Sequence, residues 1–279
     1  MLLRINSIHK QFITPADKSS INIKVHCNLS PDLKTGKLIF DSKNWWRIYK
    51  NENNYMIQIL SPISPTSFQP VRLAVFDSKF KNGDLYIHSC KNQAGNSCEN
   101  LDIDDSKYVD PLNPALDMLL MLNILPNKSG VILHGCGMIV DNNGIVFCGC
   151  SGSGKSTLAD IWKEHSIILG DERIIVRRIE NNFWIYGTPW HKNVQMCSPK
   201  RAILKKIYII EHGTVNKINQ LQRTEAISKL LVRCFPPFYN RESMEQTLSF
   251  FDLLIRKIPC YELYFVPNEN IINFVRDLK

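Results

Sequence analysis

No stretch of the chain approaches the ~18 consecutive apolar residues that a membrane-spanning helix requires. The start, Met1-Leu2-Leu3-Arg4-Ile5, lacks the long apolar core of a signal peptide. A cytoplasmic protein with no membrane partner is the expectation. Cysteine pairs at metal or redox spacing are missing too. Of nine cysteines, none belongs to a CxxC pair and none has a His partner at zinc-finger spacing. Their number is odd, and Cys136, Cys148 and Cys150 fall in apolar, strand-like runs, which predicts buried, reduced thiols. Lys and Arg exceed Asp and Glu by eight, but there is no long basic block and no basic patch interleaved with aromatics. The excess suits phosphate-rich ligands or an acidic partner, and the scatter argues against nucleic acid. Internal repeats and low-complexity tracts are also lacking.

What remains is a chain of 279 residues, 44% hydrophobic, long enough for two modest domains or one large one with a real core. Its most informative segment is Gly149-Cys150-Ser151-Gly152-Ser153-Gly154-Lys155-Ser156, a complete match to the phosphate-binding P-loop pattern. It follows the apolar run Ile145 to Cys148, which reads as a buried strand. It precedes Thr157-Leu158-Ala159-Asp160-Ile161-Trp162-Lys163, whose apolar residues recur at helical spacing. Glycines there let the backbone wrap around phosphate oxygens, with the loop amides and the positive end of the helix dipole pointing inward. Gly149, Cys150, Ser151, Gly152, Ser153, Gly154, Lys155, Ser156 and Thr157 are therefore the candidate nucleotide contacts, with ATP expected. Lys155 would neutralise the β and γ phosphates, and the Ser156 hydroxyl would ligate Mg²⁺. A glycine-rich turn that merely caps a helix is the alternative, but a cap needs neither Lys155 nor four residues before it.

Residues 1–110 differ from the rest. Short alternating runs such as Ile21 to Val25, Trp45 to Tyr49 and Tyr55 to Leu60 are separated by Asn, Asp, Lys, Gly and Pro, which predicts a small, mostly β domain. Polar residues from Lys91 to Asn100, then Asp102 to Asp110, read as an exposed linker. An α/β nucleotide-binding domain is expected over 111–279. Its predicted order is a helix over 115–125, strands over 130–134, 138–140 and 144–148, the P-loop, and a helix over 156–164. Two or three strands follow between 167 and 186, then a strand over 206–211, helices near 223–234 and 241–257, a strand over 261–266, and a last helix from 269.

Most P-loop enzymes hold Mg²⁺ or activate the attacking group with an acid at the end of a second strand. Asp171 and Glu172 are the candidates, and they follow Lys155 after room for only one helix and one return strand. This short separation, with His134-Gly135 on the strand before the loop, the turn Asp141-Asn-Asn-Gly144, the P-loop and the Asp171-Glu172 pair in that order, resembles the HPr kinase/phosphorylase family. The later segments Tyr186-Gly-Thr-Pro-Trp-His191, Arg233-Cys-Phe-Pro-Pro237 and Cys260-Tyr-Glu-Leu-Tyr-Phe-Val-Pro267 look like those of its smaller, mostly uncharacterised relatives. The chain departs from the family pattern at Thr157, where the motif carries an acid, and at Glu172, where the pair is Asp-Asp. It also lacks the Arg-Gly-Asn signature loop.

The resemblance implies a phosphoenolpyruvate carboxykinase-like α/β fold over 111–279 and Mg²⁺-dependent transfer of the γ-phosphoryl of ATP to a hydroxyl. The implied acceptor is a serine of a peptide or small protein. Asp171, first after the strand and Gly170, would be the general base, with Glu172 assisting Mg²⁺. His134 would orient and tune the catalytic carboxylate. Ser156, Asp171 and Glu172 form the implied metal set. An exposed acidic turn is the plain alternative for Asp171-Glu172, and a satisfied core histidine for His134. Thr188, Trp190 and His191 sit in a Pro-fixed turn that could place groups at a cleft. Arg173 and Arg233 could offer guanidinium groups to phosphate or an acidic substrate, or be ordinary surface or salt-bridged arginines. Two other functions fit the same residues: a nucleotide-binding regulatory module with little catalysis, and a kinase of a free small-molecule hydroxyl. Each is compatible with an oligomer.

Overall fold

The computed structural model describes residues 2–15, 21–27, 36–64, 67–87, 108–113, 115–190 and 196–278. Most of the stretch read as a linker, and His191, lie outside them. The chain divides into two units, Met1–Leu120 and Met121–Lys279. The division falls later than the change of composition near residue 110.

The first unit is β-rich. Its strands are β1 (Leu2–Leu3), β2 (Asn22–Cys27), β3 (Lys37–Asp41), β4 (Trp46–Lys50), β5 (Asn54–Ser64), β6 (Ser67–Asp77), β7 (Asn82–Ile87) and β8 (Tyr108–Val109). Six of them form one sheet in the order β2-β7-β6-β5-β4-β3, antiparallel except for the parallel β2–β7 pair. Alternating apolar positions put Ile48, Ile57, Ile59, Ala74, Phe76, Leu85 and Ile87 out of solvent. The short β1 and β8 pair apart from that sheet. A 3-10 turn over Ser7–Phe12 buries His9, whose Nε2 lies 3.0 Å from Asp117 Oδ2 and whose Nδ1 lies 3.7 Å from Asp110 Oδ2.

Helix α1 (Leu116–Ile124) spans the division. The second unit then continues with β9 (Gly130–Val140), β10 (Asn143–Cys148), α2 (Lys155–Trp162), β11 (Ile167–Gly170), β12 (Arg173–Ile179), β13 (Asn182–Tyr186), β14 (Arg201–His212), β15 (Lys217–Gln220), α3 (Arg223–Leu231), α4 (Arg241–Lys257), β16 (Cys260–Phe265) and α5 (Asn270–Asp277). This is a mixed α/β unit. The pairings β10–β9, β9–β12, β12–β13, β13–β14 and β14–β10 close on themselves, while β16 and β15 branch from β14 and β11 lies along β9. One antiparallel strand, β9, replaces the two strands expected over 130–134 and 138–140.

The strands bury both faces. In β10, Val146 and Cys148 join a core with residues of α3 and α4, whereas Ile145 and Phe147 join a second core with residues of α2 and α5. Helices on both sides of a buried sheet are the layered solution that such near-continuous apolar strands require. Trp162 is fully buried in the second core and fixes α2 against the sheet. Its loss would cost on the order of 3–5 kcal/mol. Helix α4 begins at Asn240, whose side chain accepts from the Ser243 amide, and ends on Arg256 and Lys257, which complement the helix dipole. No helix among the described residues is long and apolar enough to cross a membrane.

Candidate functional site

The glycine loop, residues 149–154, connects the end of β10 to the start of α2. Gly152 and Gly154 adopt φ of 82° and 97°, which L side chains rarely tolerate. Gly149 is buried against its own loop, since a Cβ there would fall 2.0 Å from Ser153 Oγ. The N-cap of α2 is Gly154, which offers no side-chain acceptor, and the first turn holds no acid. The helix start therefore presents its positive end without a carboxylate of its own.

Lys155 is buried, and its Nζ donates to the carbonyls of Gly149 at 2.8 Å and Cys150 at 2.7 Å. The ammonium thus lies inside the loop's curve. The Ser153 hydroxyl is buried and has no hydrogen-bond partner among the described residues. Cys150, expected to be buried, is exposed because it lies beyond the last residue of β10. By contrast, burial pushes the Cys136 thiol well up, with Asp171 raising it further and Lys155 pulling it back. Both charges therefore bear on the same point of β9. Burial likewise pushes Cys148 up to about 12, so these thiols are inert.

Asp171 and Glu172 occupy the turn between β11 and β12. Asp171 is only 4% exposed, so the pair is not an exposed acidic turn. Two contacts brace this turn. The Gly135 amide donates to the Glu172 carbonyl at 3.0 Å, and the buried Thr188 hydroxyl donates to the Arg173 carbonyl at 2.5 Å. Thr188 in turn accepts from the Trp190 amide at 3.4 Å. The Gly-Thr-Pro-Trp turn therefore supports the acidic turn through the backbone.

His134, Ser151, Gly152, Gly154, Lys155, Ser156, Thr157, Asp171 and Glu172 line one open cleft of about 250 Å³. Strand, loop and turn converge there from separate parts of the sequence. The remaining loop residues, Gly149, Cys150 and Ser153, lie outside this lining. His134 is half-buried, its amide donating to the Arg233 carbonyl at 2.7 Å. Its register partner across β9 and β12 is Arg173.

The two arginines part company. Arg233 is buried, donating to the Lys229 carbonyl at 3.0 Å and to Glu211 at 3.3 Å, which makes it a salt-bridged structural residue. Arg173 stands over the Phe235 ring at 5.3 Å, with Nη2 3.5 Å from Glu172 Oε1. Sequence reasoning missed His212, at the end of β14, whose Nε2 lies 3.0 Å from the Gly152 carbonyl. The two residues are far apart in sequence, and no local pattern marks their contact.

No group of three or more His, Cys, Asp or Glu side chains poised to hold a metal occurs among the described residues. Ser156, Asp171 and Glu172 all line the cleft, and hydroxyl and carboxylate oxygens are the donor type that a hard ion such as Mg²⁺ takes.

No family model matches the chain, and no curated protein matches it. A solved structure that resembles it is the Hpr(Ser) kinase/phosphatase from Coxiella burnetii, at 12% identity, covering 53% of this chain and 87% of that one, with a TM-score of 0.28.

Proposed function

We propose that the second unit binds ATP at the glycine loop and transfers its γ-phosphoryl group to a hydroxyl, with a serine of a peptide or small protein as acceptor. The observation that carries this reading is the convergence, in one cleft, of an uncapped helix start and its lysine with a braced acidic pair and a histidine. In this scheme the loop amides and the α2 N-terminus hold phosphate oxygens. Lys155 exchanges its two carbonyl partners for phosphate, a stronger charge-assisted contact for an ammonium already in place. Ser156 and Glu172 are the residues that would hold Mg²⁺, which supplies charge neutralisation on the phosphates. Asp171, buried at the strand end, accepts the proton of the acceptor hydroxyl, and His134 on the facing strand orients it.

Phosphoryl transfer depends mainly on positioning and charge, so removing one such group costs on the order of a hundredfold or more. The test incubates the protein with γ-labelled ATP, Mg²⁺ and serine-containing peptides or cell extract. Label should reach a peptide or protein and fall by at least that factor in Lys155→Ala. Unchanged transfer in Lys155→Ala would sink the assignment. Tight ATP binding with no transfer to any acceptor would instead favour a regulatory nucleotide-binding module.

A further inference from the structure

Arg173 has no role in the scheme above, yet its placement is costly. Its Nε is buried and makes no hydrogen bond among the described residues, although a buried donor is normally satisfied. Its ion pair with Glu172, at 3.5 Å, leaves most of the guanidinium donors without a protein partner among the described residues. Its guanidinium carbon lies over the Phe235 ring, 5.3 Å from the centroid. Directly opposed residues of an antiparallel pair project to the same face of a sheet, so Arg173 shares a face with His134, which lines the cleft. Phe235 touches both, its ring centroid lying 6.3 Å from that of His134. An arginine shelved on an aromatic beside Glu172 and His134 is a preorganised fork for a carboxylate. Arg173 does not itself line the cleft, but the residues it adjoins, His134 by register and Glu172 by ion pair, both do.

We propose that Arg173, shelved on Phe235 beside His134 and Glu172, forms an anion subsite for the acceptor, and that the acceptor is an acidic peptide segment with Asp or Glu next to its hydroxyl. The position and the chemistry of the acceptor rest on the phosphoryl-transfer reading, but the subsite can be tested without turnover. The eight-charge excess of Lys and Arg over Asp and Glu favours the same class of partner.

The experiment measures fluorescence anisotropy of three labelled serine peptides of equal length, flanked by Asp/Glu, Asn/Gln or Lys. The full chain is used as wild type, Arg173→Gln and Arg173→Lys, with and without ADP and Mg²⁺. The acidic peptide should bind wild type about tenfold more tightly than the neutral one. That preference should vanish in Arg173→Gln and return in part in Arg173→Lys, with circular dichroism confirming that both fold. Equal binding of acidic and neutral peptides, or a preference that survives in both variants, overturns the subsite. Displacement of the acidic peptide by free serine at comparable concentration overturns the peptide assignment in favour of a small carboxylate acceptor. If ADP fails to bind while the Arg173-dependent preference persists, the transfer reading falls and the anion subsite stands.

Discussion

Replacing Gly154 by alanine separates two costs that the glycine loop combines. The residue sits at φ 97°, where an L side chain costs about 1–2 kcal/mol. Its new Cβ would also fall 2.6 Å from Cζ of Phe265, which is 1% exposed in the core. Overpacking of that kind adds about 1–3 kcal/mol, for a total near 2–5 kcal/mol. Gly152→Ala is the internal control, because φ there is 82° but no atom lies within 4 Å of the added Cβ. It should cost only the backbone part, about 1–2 kcal/mol. Urea unfolding followed by tryptophan fluorescence, with the two units fitted as separate transitions, reads the difference. With an m-value of about 2 kcal/mol per M, Gly154→Ala shifts the midpoint of the second unit by roughly 1–2.5 M and Gly152→Ala by about 0.5–1 M. Adding Phe265→Leu should recover part of the Gly154→Ala loss and none of the Gly152→Ala loss. Equal shifts for the two alanine variants, or no coupling between positions 154 and 265, would refute the reasoning.

Thr188→Val should destabilise the second unit by about 1–3 kcal/mol, because the Arg173 carbonyl and the Trp190 amide lose a shared partner. It should lower label transfer more than ADP affinity, a split that equilibrium titration beside the transfer assay reveals. In the first unit, the hydrogen bond to Asp117 holds the His9 pKa above its ordinary value despite the opposing burial, and attraction to Asp117 and Asp110 adds to it. A raised folded pKa means the stabilisation is complete below about pH 6.5 and is lost as pH climbs through the folded value. Thermal melts across that range should show the decline in wild type and a flatter profile in His9→Gln. Alkylation at mildly alkaline pH should spare the buried Cys136 and Cys148 until the protein unfolds and should modify Cys150, more slowly when ADP and Mg²⁺ are present. Peptide mapping reports all three.

Local pattern made much of the second unit readable, because β10, the glycine loop, α2 and β11 follow one another and each carries its own period or punctuation. Reading failed where a strand's reason lay elsewhere in the chain. Gly135 and Gly137 looked like a break, yet β9 runs through them because a Cβ at Gly137 would press on Ile174 of the neighbouring strand at 2.9 Å. The strand β15, Lys-Ile-Asn-Gln, has no apolar alternation and exists by pairing with β16. At the cleft, the loop, the acidic pair and the histidine were legible as residue types in order. Their support was not, since Thr188 acts through a carbonyl and His212 through the backbone of Gly152. Arg233 carried no mark that separated it from Arg173, and only its burial against Glu211 assigns it to the framework.

The ring of pairings through β10, β9, β12, β13 and β14 bears on how copies of this chain could meet. Strands inside a closed ladder have spent their backbone donors and acceptors and offer no template to a foreign strand. Two branches leave that ring: β15, four residues long with Lys217 at one end and Gln220 at the other, and β11, four apolar residues along β9 whose Leu169 carbonyl already accepts from the Ser198 amide. Edges so short offer few backbone groups for strand addition. Association of this unit should therefore proceed through side chains on its helices and loops, and it should stay reversible where an exposed hydrophobic edge would recruit further chains into fibrils.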